Sequence, residues 1–162
     1  MKKHFKALTC FALSLCLLAS SLLTSSPAAA ASTTLSEETI QMEDGSYCVI
    51  TTSETIVPSI ARGKTKTKKA EKSFNYYNAH NVLSWKYTLY GTFMYDDYLV
   101  VCSDVSHAID IYNAKNWIYD EAKRWKSGNT AYGKAVFRII TSSSAKKTVN
   151  LQISCTKHGV IS

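Results

Sequence analysis

His107 lies close in sequence to Ser106, Asp104 and Asp110, and these are the residue types of a hydrolytic triad. That chemistry requires a histidine base within hydrogen-bond reach of the serine and an acid that orients the histidine. Nearness along the chain does not provide this geometry, and no Gly-x-Ser-x-Gly motif presents a nucleophile on a sharp turn. We therefore predict no catalytic site of this class.

Adjacent carboxylates occur at Asp96-Asp97 and at Asp120-Glu121, and paired carboxylates are the groups that hydrolyse glycosides. Neighbouring residues on a strand point to opposite faces, and both pairs flank predicted turns, so we interpret them as turn-forming and solvated charges. Calcium-loop spacing is absent around Asp104, and no C-x-x-C motif or histidine spacing predicts a zinc site. The sequence thus predicts no enzyme, no metal site and no cofactor.

The amino terminus has the three parts of a cleavable secretory signal peptide. An uncharged apolar run covers residues 7–23, Pro27 breaks it, and small residues at 28–31 suit a signal peptidase. The preceding positive charges are Lys2, Lys3 and Lys6. We predict that residues 1–31 are a signal peptide and that the protein is secreted.

Two alternatives to cleavage are less consistent with this segment. A membrane anchor needs about 20 apolar residues, and the run here is shorter and interrupted by polar residues. Lipid attachment needs a small residue before a cysteine at the end of the run, whereas Cys10 and Cys16 lie too early in it. We expect no transmembrane anchor after cleavage.

Cleavage leaves Cys48, Cys102 and Cys155 in a compartment that favours disulfides. Three cysteines cannot all pair within one molecule. Cys102 and Cys155 each end an apolar β-like run, so we predict that they form the structural disulfide. Cys48 is then the odd thiol, which stays free, exchanges partners or links two molecules into a dimer.

Charge divides the mature chain into two parts. Residues 32–60 hold five acidic and no basic residues, and we interpret them as an acidic, partly extended leader. Residues 61–162 hold 16 basic and 7 acidic residues, a balance of +9, and their length is that of a single domain.

Alternation of apolar and polar residues predicts an all-β chain. It is clearest from Leu83 to Tyr95, where Gly91 interrupts the apolar face and predicts a bulge or a close backbone approach. Residues 105–125 fit both helical and strand periods, and we interpret them as two strands because their neighbours are all β. About seven strands with frequent turn signals predict an antiparallel, immunoglobulin-like β-sandwich. Other predicted strands cover residues 48–56, 98–102, 130–141 and 148–155.

Two sets of residues are candidates for binding. The basic residues Arg62, Lys64, Lys66 and Lys68 alternate, so a strand would carry them on one face. This row could engage a cell-wall polyanion, or it could simply keep an edge strand soluble. Tyr90, Tyr132 and Met94 lie opposite the core residues of their strands, where they either contact a protein or glycan or are covered by a loop.

From Trp85 onward the chain resembles a family of small, secreted, uncharacterised proteins of Gram-positive gut bacteria. The resemblance covers residues 64–162 and implies a disulfide-stapled β-sandwich, with no implied activity. The matching motifs are the strand from Trp85 that ends in Gly91-Thr-Phe-Met-Tyr95, then Cys102, Trp117, the Ser127-Gly128 turn, the last strand that ends at Cys155, and Gly159.

These features favour an exported, non-enzymatic module that binds a polyanion, glycan or protein at the cell envelope or outside the cell. Nucleic acid is not an expected partner there. The alternative is a secreted, bacteriocin-like or toxin-type effector, which the small size, the predicted export and the basic charge permit.

Overall fold

The structure, a computed structural model, describes residues 31–58 and 65–162 of the 162-residue chain. These residues form eight strands and no helix, which confirms the all-β prediction. Within the same residues, no helix is therefore long and apolar enough to cross a bilayer. The strands are β1 (Ser32–Gln41), β2 (Tyr47–Val57), β3 (Lys66–Tyr77), β4 (Leu83–Tyr95), β5 (Val100–Ile111), β6 (Trp117–Ser127), β7 (Thr130–Ile139) and β8 (Ser142–Ser154).

The strands form two antiparallel sheets in sequential order. Sheet A has the order β1-β2-β3-β4-β5, and sheet B has the order β6-β7-β8. Every described neighbour pair is consecutive in sequence, whereas immunoglobulin domains interleave their strands between sheets. The finer, immunoglobulin-like prediction is therefore not confirmed. Tight turns explain the sequential order, for example the one after β1, where Gly45 has a φ of 75°.

The core lies where sheet B packs on β3, β4 and β5 of sheet A. Its centre is aromatic: Trp85 on β4 stacks on its cross-strand neighbour Tyr76 and on Phe137 of β7. Trp117 at the start of β6 meets both Tyr76 and Trp85 edge-on. Offset and edge-on aromatic contacts add stability beyond the apolar area that they bury.

Gly91 marks a close approach of the two sheets, as its position in the sequence predicts. A Cβ atom at Gly91 would lie 2.7 Å from the Phe93 ring and 3.2 Å from the Cβ atom of Ala131 in sheet B. The register between β4 and β5 also shifts between Thr92 and Phe93, so a bulge lies next to the close approach. Sheet A thus lies close to sheet B around Gly91.

Residues 32–57, predicted as most of a separate acidic leader, are the first two strands of sheet A. All ten residues of β1 are exposed, because β1 is an edge strand beyond the strands that sheet B covers. The ladder to β2 and β3 joins this segment to the domain directly. The acidic segment is therefore structurally continuous with the basic one.

The ambiguous residues 105–125 form two strands, which confirms that interpretation. β5 and β6 are separated by a turn in which the Trp117 amide donates to the Asn113 carbonyl. The alternation of a strand describes this segment better than the period of a helix, because Ile109 and Ile111, two residues apart on β5, both pack against the core.

The predicted disulfide is not present, because Cys102, Cys155 and Cys48 are free, buried thiols in the described part of the chain. The amides of Cys102 and Cys155 donate to the adjacent carbonyls of Gly128 and Asn129, so both cysteines lie beside the same turn. Their thiols point elsewhere: that of Cys102 donates to the Asp104 carbonyl, and that of Cys155 to the Thr156 carbonyl. In the structure the two cysteines of the predicted pair are thus separate thiols.

Cys48 has an environment that differs from the one expected of a linking thiol. It lies between Ile40 and Tyr76 in the strand register and is only 1% exposed. A disulfide to a second molecule through Cys48 would therefore require the residues that bury its thiol to move.

Candidate functional site

A polar groove of about 360 Å³ lies on the outer face of sheet A, on the side away from sheet B. Four neighbouring strands, β2 to β5, contribute its walls, and its floor is the sheet at Ala70 and Gly91. We call it the outer groove. Its wall residues are Ser53, Thr55, Lys69, Glu71, Tyr90, Thr92, Asp104 and Ser106.

Two small residues form the floor of the outer groove. Ala70 and Gly91 are cross-strand neighbours whose small side faces sheet B. At these two residues the floor of the groove is therefore the backbone of sheet A. The longer side chains of the flanking residues then stand above it on the outer face as walls.

The chemistry of the outer groove is that of a hydrogen-bonding site. The Ser53 hydroxyl donates to the Glu71 carboxylate at 3.0 Å, which fixes that carboxylate in the wall. Burial, with the nearby charges of Glu71 and Asp110, raises the pKa of Tyr90, so its phenol stays protonated. The charged groups of the groove are one ammonium, that of Lys69, and two carboxylates, those of Glu71 and Asp104.

The sequence-predicted aromatic set is divided between two surfaces. Tyr90 lines the outer groove, and Met94 lies four residues further along β4 on the same face, exposed near the end of the strand. Tyr132 lies on β7 between the buried residues Ala131 and Gly133, so it faces outward from sheet B. The structure therefore brings Tyr90 and Met94 to one side of the sandwich and Tyr132 to the other.

Tyr132 has a partner that the sequence alternation does not reveal. The Trp125 ring on β6 stacks on it, with centroids 5.3 Å apart and planes within 6°. A bulge in β6 between Tyr119 and Glu121 reverses the alternation, so Trp125 faces outward although Trp117 faces the core. The only local sign of this bulge in the sequence is the Asp120-Glu121 pair, and such a pair predicts a turn rather than a bulge.

The structure describes two residues of the predicted basic row, Lys66 and Lys68, and it buries Lys68. Lys68 is only 8% exposed, and its ammonium binds the Glu54 carboxylate at 2.8 Å and the Gly159 carbonyl at 2.6 Å. Lys66 is exposed on the same face of β3, at its first residue. Arg62 and Lys64 lie outside the described residues. The prediction that Lys68 is available to a polyanion is therefore wrong.

The triad residue types are not brought together. In the register with β4, His107 pairs with Leu89 on the core side, whereas Ser106 pairs with Tyr90 on the groove side. His107 instead lines a cleft with Arg124 at the open edge between β5 and β6. Burial and the Arg124 charge lower the pKa of His107. Ser106 and His107 thus cannot act on one substrate atom.

The carboxylate pairs have structural partners. Asp96 Oδ1 accepts hydrogen bonds from the amides of Tyr98 and Leu99, both at 2.8 Å, and these bonds lower the pKa of Asp96. Asp120 pairs with Arg138 and Lys146 on sheet B. Across residues 31–58 and 65–162, no cluster of three or more histidine, cysteine or acidic residues is arranged to hold a metal ion.

In comparisons with known proteins, no family model, no curated protein and no solved structure matches this chain. The resemblance to secreted proteins of Gram-positive gut bacteria therefore stays a prediction.

Proposed function

We propose that this protein is an exported, non-enzymatic binding module that holds a hydroxyl-rich glycan of the cell envelope in the outer groove. The observation that carries the proposal is the groove itself, a recess on a rigid sheet whose walls come from four strands. Sites built on paired strands hold their side chains more firmly than sites built on loops.

The groove walls match the chemistry of a sugar. Ser53, Thr55, Thr92 and Ser106 supply hydroxyls, and Glu71 and Asp104 supply carboxylates that accept hydrogen bonds from sugar hydroxyls. Tyr90 adds an aromatic ring with a protonated hydroxyl. The two carboxylates outnumber the single ammonium of Lys69, so a neutral glycan is favoured over a polyanion here.

The predicted signal peptide supports the location of this activity. Residues 1–31 have the sequence features of an export signal, and the envelope is the first glycan-rich structure that an exported chain meets. These residues lie outside the part of the chain that the structure describes, apart from Ala31.

The test uses residues 32–162 as a purified protein, mixed at low salt with isolated Gram-positive cell walls and, separately, with a neutral hexamer of N-acetylglucosamine. We expect retention on the walls and saturable binding of the hexamer. Tyr90→Ala should weaken binding by about 30-fold, the scale of a truncated hot-spot residue. Glu71→Gln removes one carboxylate with little change of shape and should weaken it by a smaller factor.

Tyr98→Ala is the matched control, because Tyr98 is 89% exposed on the β4–β5 turn and lies outside the groove. It should bind like the unchanged protein, and thermal unfolding should show that all variants are folded. Failure of the unchanged protein to bind either material, or equal binding by folded Tyr90→Ala, would overturn the proposal.

A further inference from the structure

We infer that the outer face of sheet B carries a second, separate binding site, which stacks the sugar rings of an anionic glycan on Trp125 and Tyr132. Nothing in the outer groove contributes to it, since the two faces point away from each other on opposite sides of the sandwich. The inference therefore stands independently of the function proposed for the groove.

The aromatic pair presents an open ring face. Trp125 is 47% exposed, a large fraction for a tryptophan, and one side of its indole packs on the Tyr132 ring. Because nearly half of the Trp125 side chain is accessible while one side of its ring is packed on Tyr132, the rest of the indole is open to solvent. Aromatic rings that are fixed on one face and open on the other suit the flat, apolar face of a pyranose.

The neighbouring row of the same face is cationic. Lys123 and Lys134 are directly opposite each other on β6 and β7, two positions along from Trp125 and Tyr132. Two residues along a strand span about 7 Å, so a ring stacked on the aromatic row places its charged substituent near the lysines. This spacing matches one sugar unit with an acidic group.

Strand β8 extends both rows with amide side chains. Gln152 lies opposite Tyr132, and Asn150 lies opposite Lys134. Both residues are exposed, and each amide offers a donor and an acceptor for sugar hydroxyls. The outer face of sheet B thus carries two adjacent cross-strand rows, one aromatic and one cationic, and each row ends in an amide side chain on β8.

The charge arrangement itself favours an anionic ligand. Like charges directly opposite each other on paired strands are destabilising, and only Lys123 of the two forms an ion pair with a described residue, at 2.6 Å from Glu121. The hydrogen bond from Lys123, together with the charges of Lys123 and Lys134, lowers the pKa of Glu121, so this carboxylate is ionised beside the two lysines. A bound carboxylate or phosphate would relieve the remaining repulsion.

The test measures binding of two probes to residues 32–162 at low salt by calorimetry: a hexamer of galacturonic acid, which is anionic, and the neutral hexamer of N-acetylglucosamine. We expect the anionic hexamer to bind and Trp125→Ala to weaken it by about 30-fold. Lys134→Gln should weaken it by about threefold at low salt and by less at high salt, as for an exposed charge.

Controls separate the two sites. Tyr90→Ala, in the outer groove, should leave binding of the anionic hexamer unchanged, and Trp125→Ala should leave binding of the neutral hexamer unchanged. Tyr132→Phe keeps the stack and should retain most of the affinity, which distinguishes ring stacking from a role of the hydroxyl. No binding of the anionic hexamer, or equal affinity for it in folded Trp125→Ala, would overturn the inference.

Discussion

Trp85 and Phe137 stack face to face across the interface between the two sheets, with ring centroids 3.8 Å apart and planes within 9° of each other. Both side chains are completely buried. Trp85 belongs to β4 at the centre of the core side of sheet A, and Phe137 belongs to the central strand of sheet B. This contact therefore fixes how the two sheets face each other.

Phe137→Ala should lower the free energy of unfolding by about 3 to 5 kcal/mol, because it removes the ring and leaves a cavity against Trp85. Urea unfolding, followed by far-ultraviolet circular dichroism, measures the change. Tyr98→Ala, at an exposed turn position, should change the same quantity by no more than about 0.5 kcal/mol. Similar losses in the two variants would show that the stack does not anchor the sheets.

Lys68→Met should destabilise the protein by about 3 to 5 kcal/mol, because Glu54 would remain charged and largely buried without its partner. The double variant Lys68→Met/Glu54→Leu removes both charges and should recover most of that loss. Chemical denaturation of Lys68→Met, Glu54→Leu and the double variant gives the coupling free energy between Lys68 and Glu54. Simply additive losses would contradict a buried, mutually dependent pair.

The three cysteines of residues 32–162 should react slowly with a thiol reagent in the native protein. Burial raises the pKa values of Cys48, Cys102 and Cys155, and the thiolate is the reactive form. At pH 8, a colorimetric thiol assay should detect all three only after denaturation without reductant. Finding one thiol instead of three would contradict the three free thiols and point to a Cys102–Cys155 disulfide.

Stability should fall at alkaline pH through the titration of Tyr87. Burial raises the pKa of Tyr87 to about 12, above its ordinary value of 10. The folded state then holds this proton more tightly than the unfolded state, so its contribution is complete below pH 10 and is lost as the pH rises toward 12. Urea midpoints measured from pH 8 to pH 12 follow this loss.

Tyr87→Phe is the control for the alkaline titration, because it keeps the buried ring and removes the ionisable group. Its stability should decline less than that of the unchanged protein between pH 10 and pH 12. The cysteines, whose ordinary pKa is 9, contribute equally to both proteins. Parallel decline of the two proteins in that interval would refute the role of Tyr87.

Local alternation predicted much of the fold. The strand from Leu83 to Tyr95 is found with those bounds, and the close approach at Gly91 is found in its middle. The position of Tyr90 on the opposite face followed from the same alternation, and this side chain lines the outer groove. Strand β1 was missed because none of its residues is buried, so its sequence carries no apolar face to detect.

By itself, the sequence determined that this protein is all-β and which residues share a face within an uninterrupted strand, since side chains alternate with a period of two. Only the tertiary structure decided which face is buried. Pairing with β2 and β4 turned Lys68 toward the core and toward Glu54, and the bulge in β6 turned Trp125 outward to meet Tyr132. Those outcomes depend on partners distant in sequence, which no local pattern encodes.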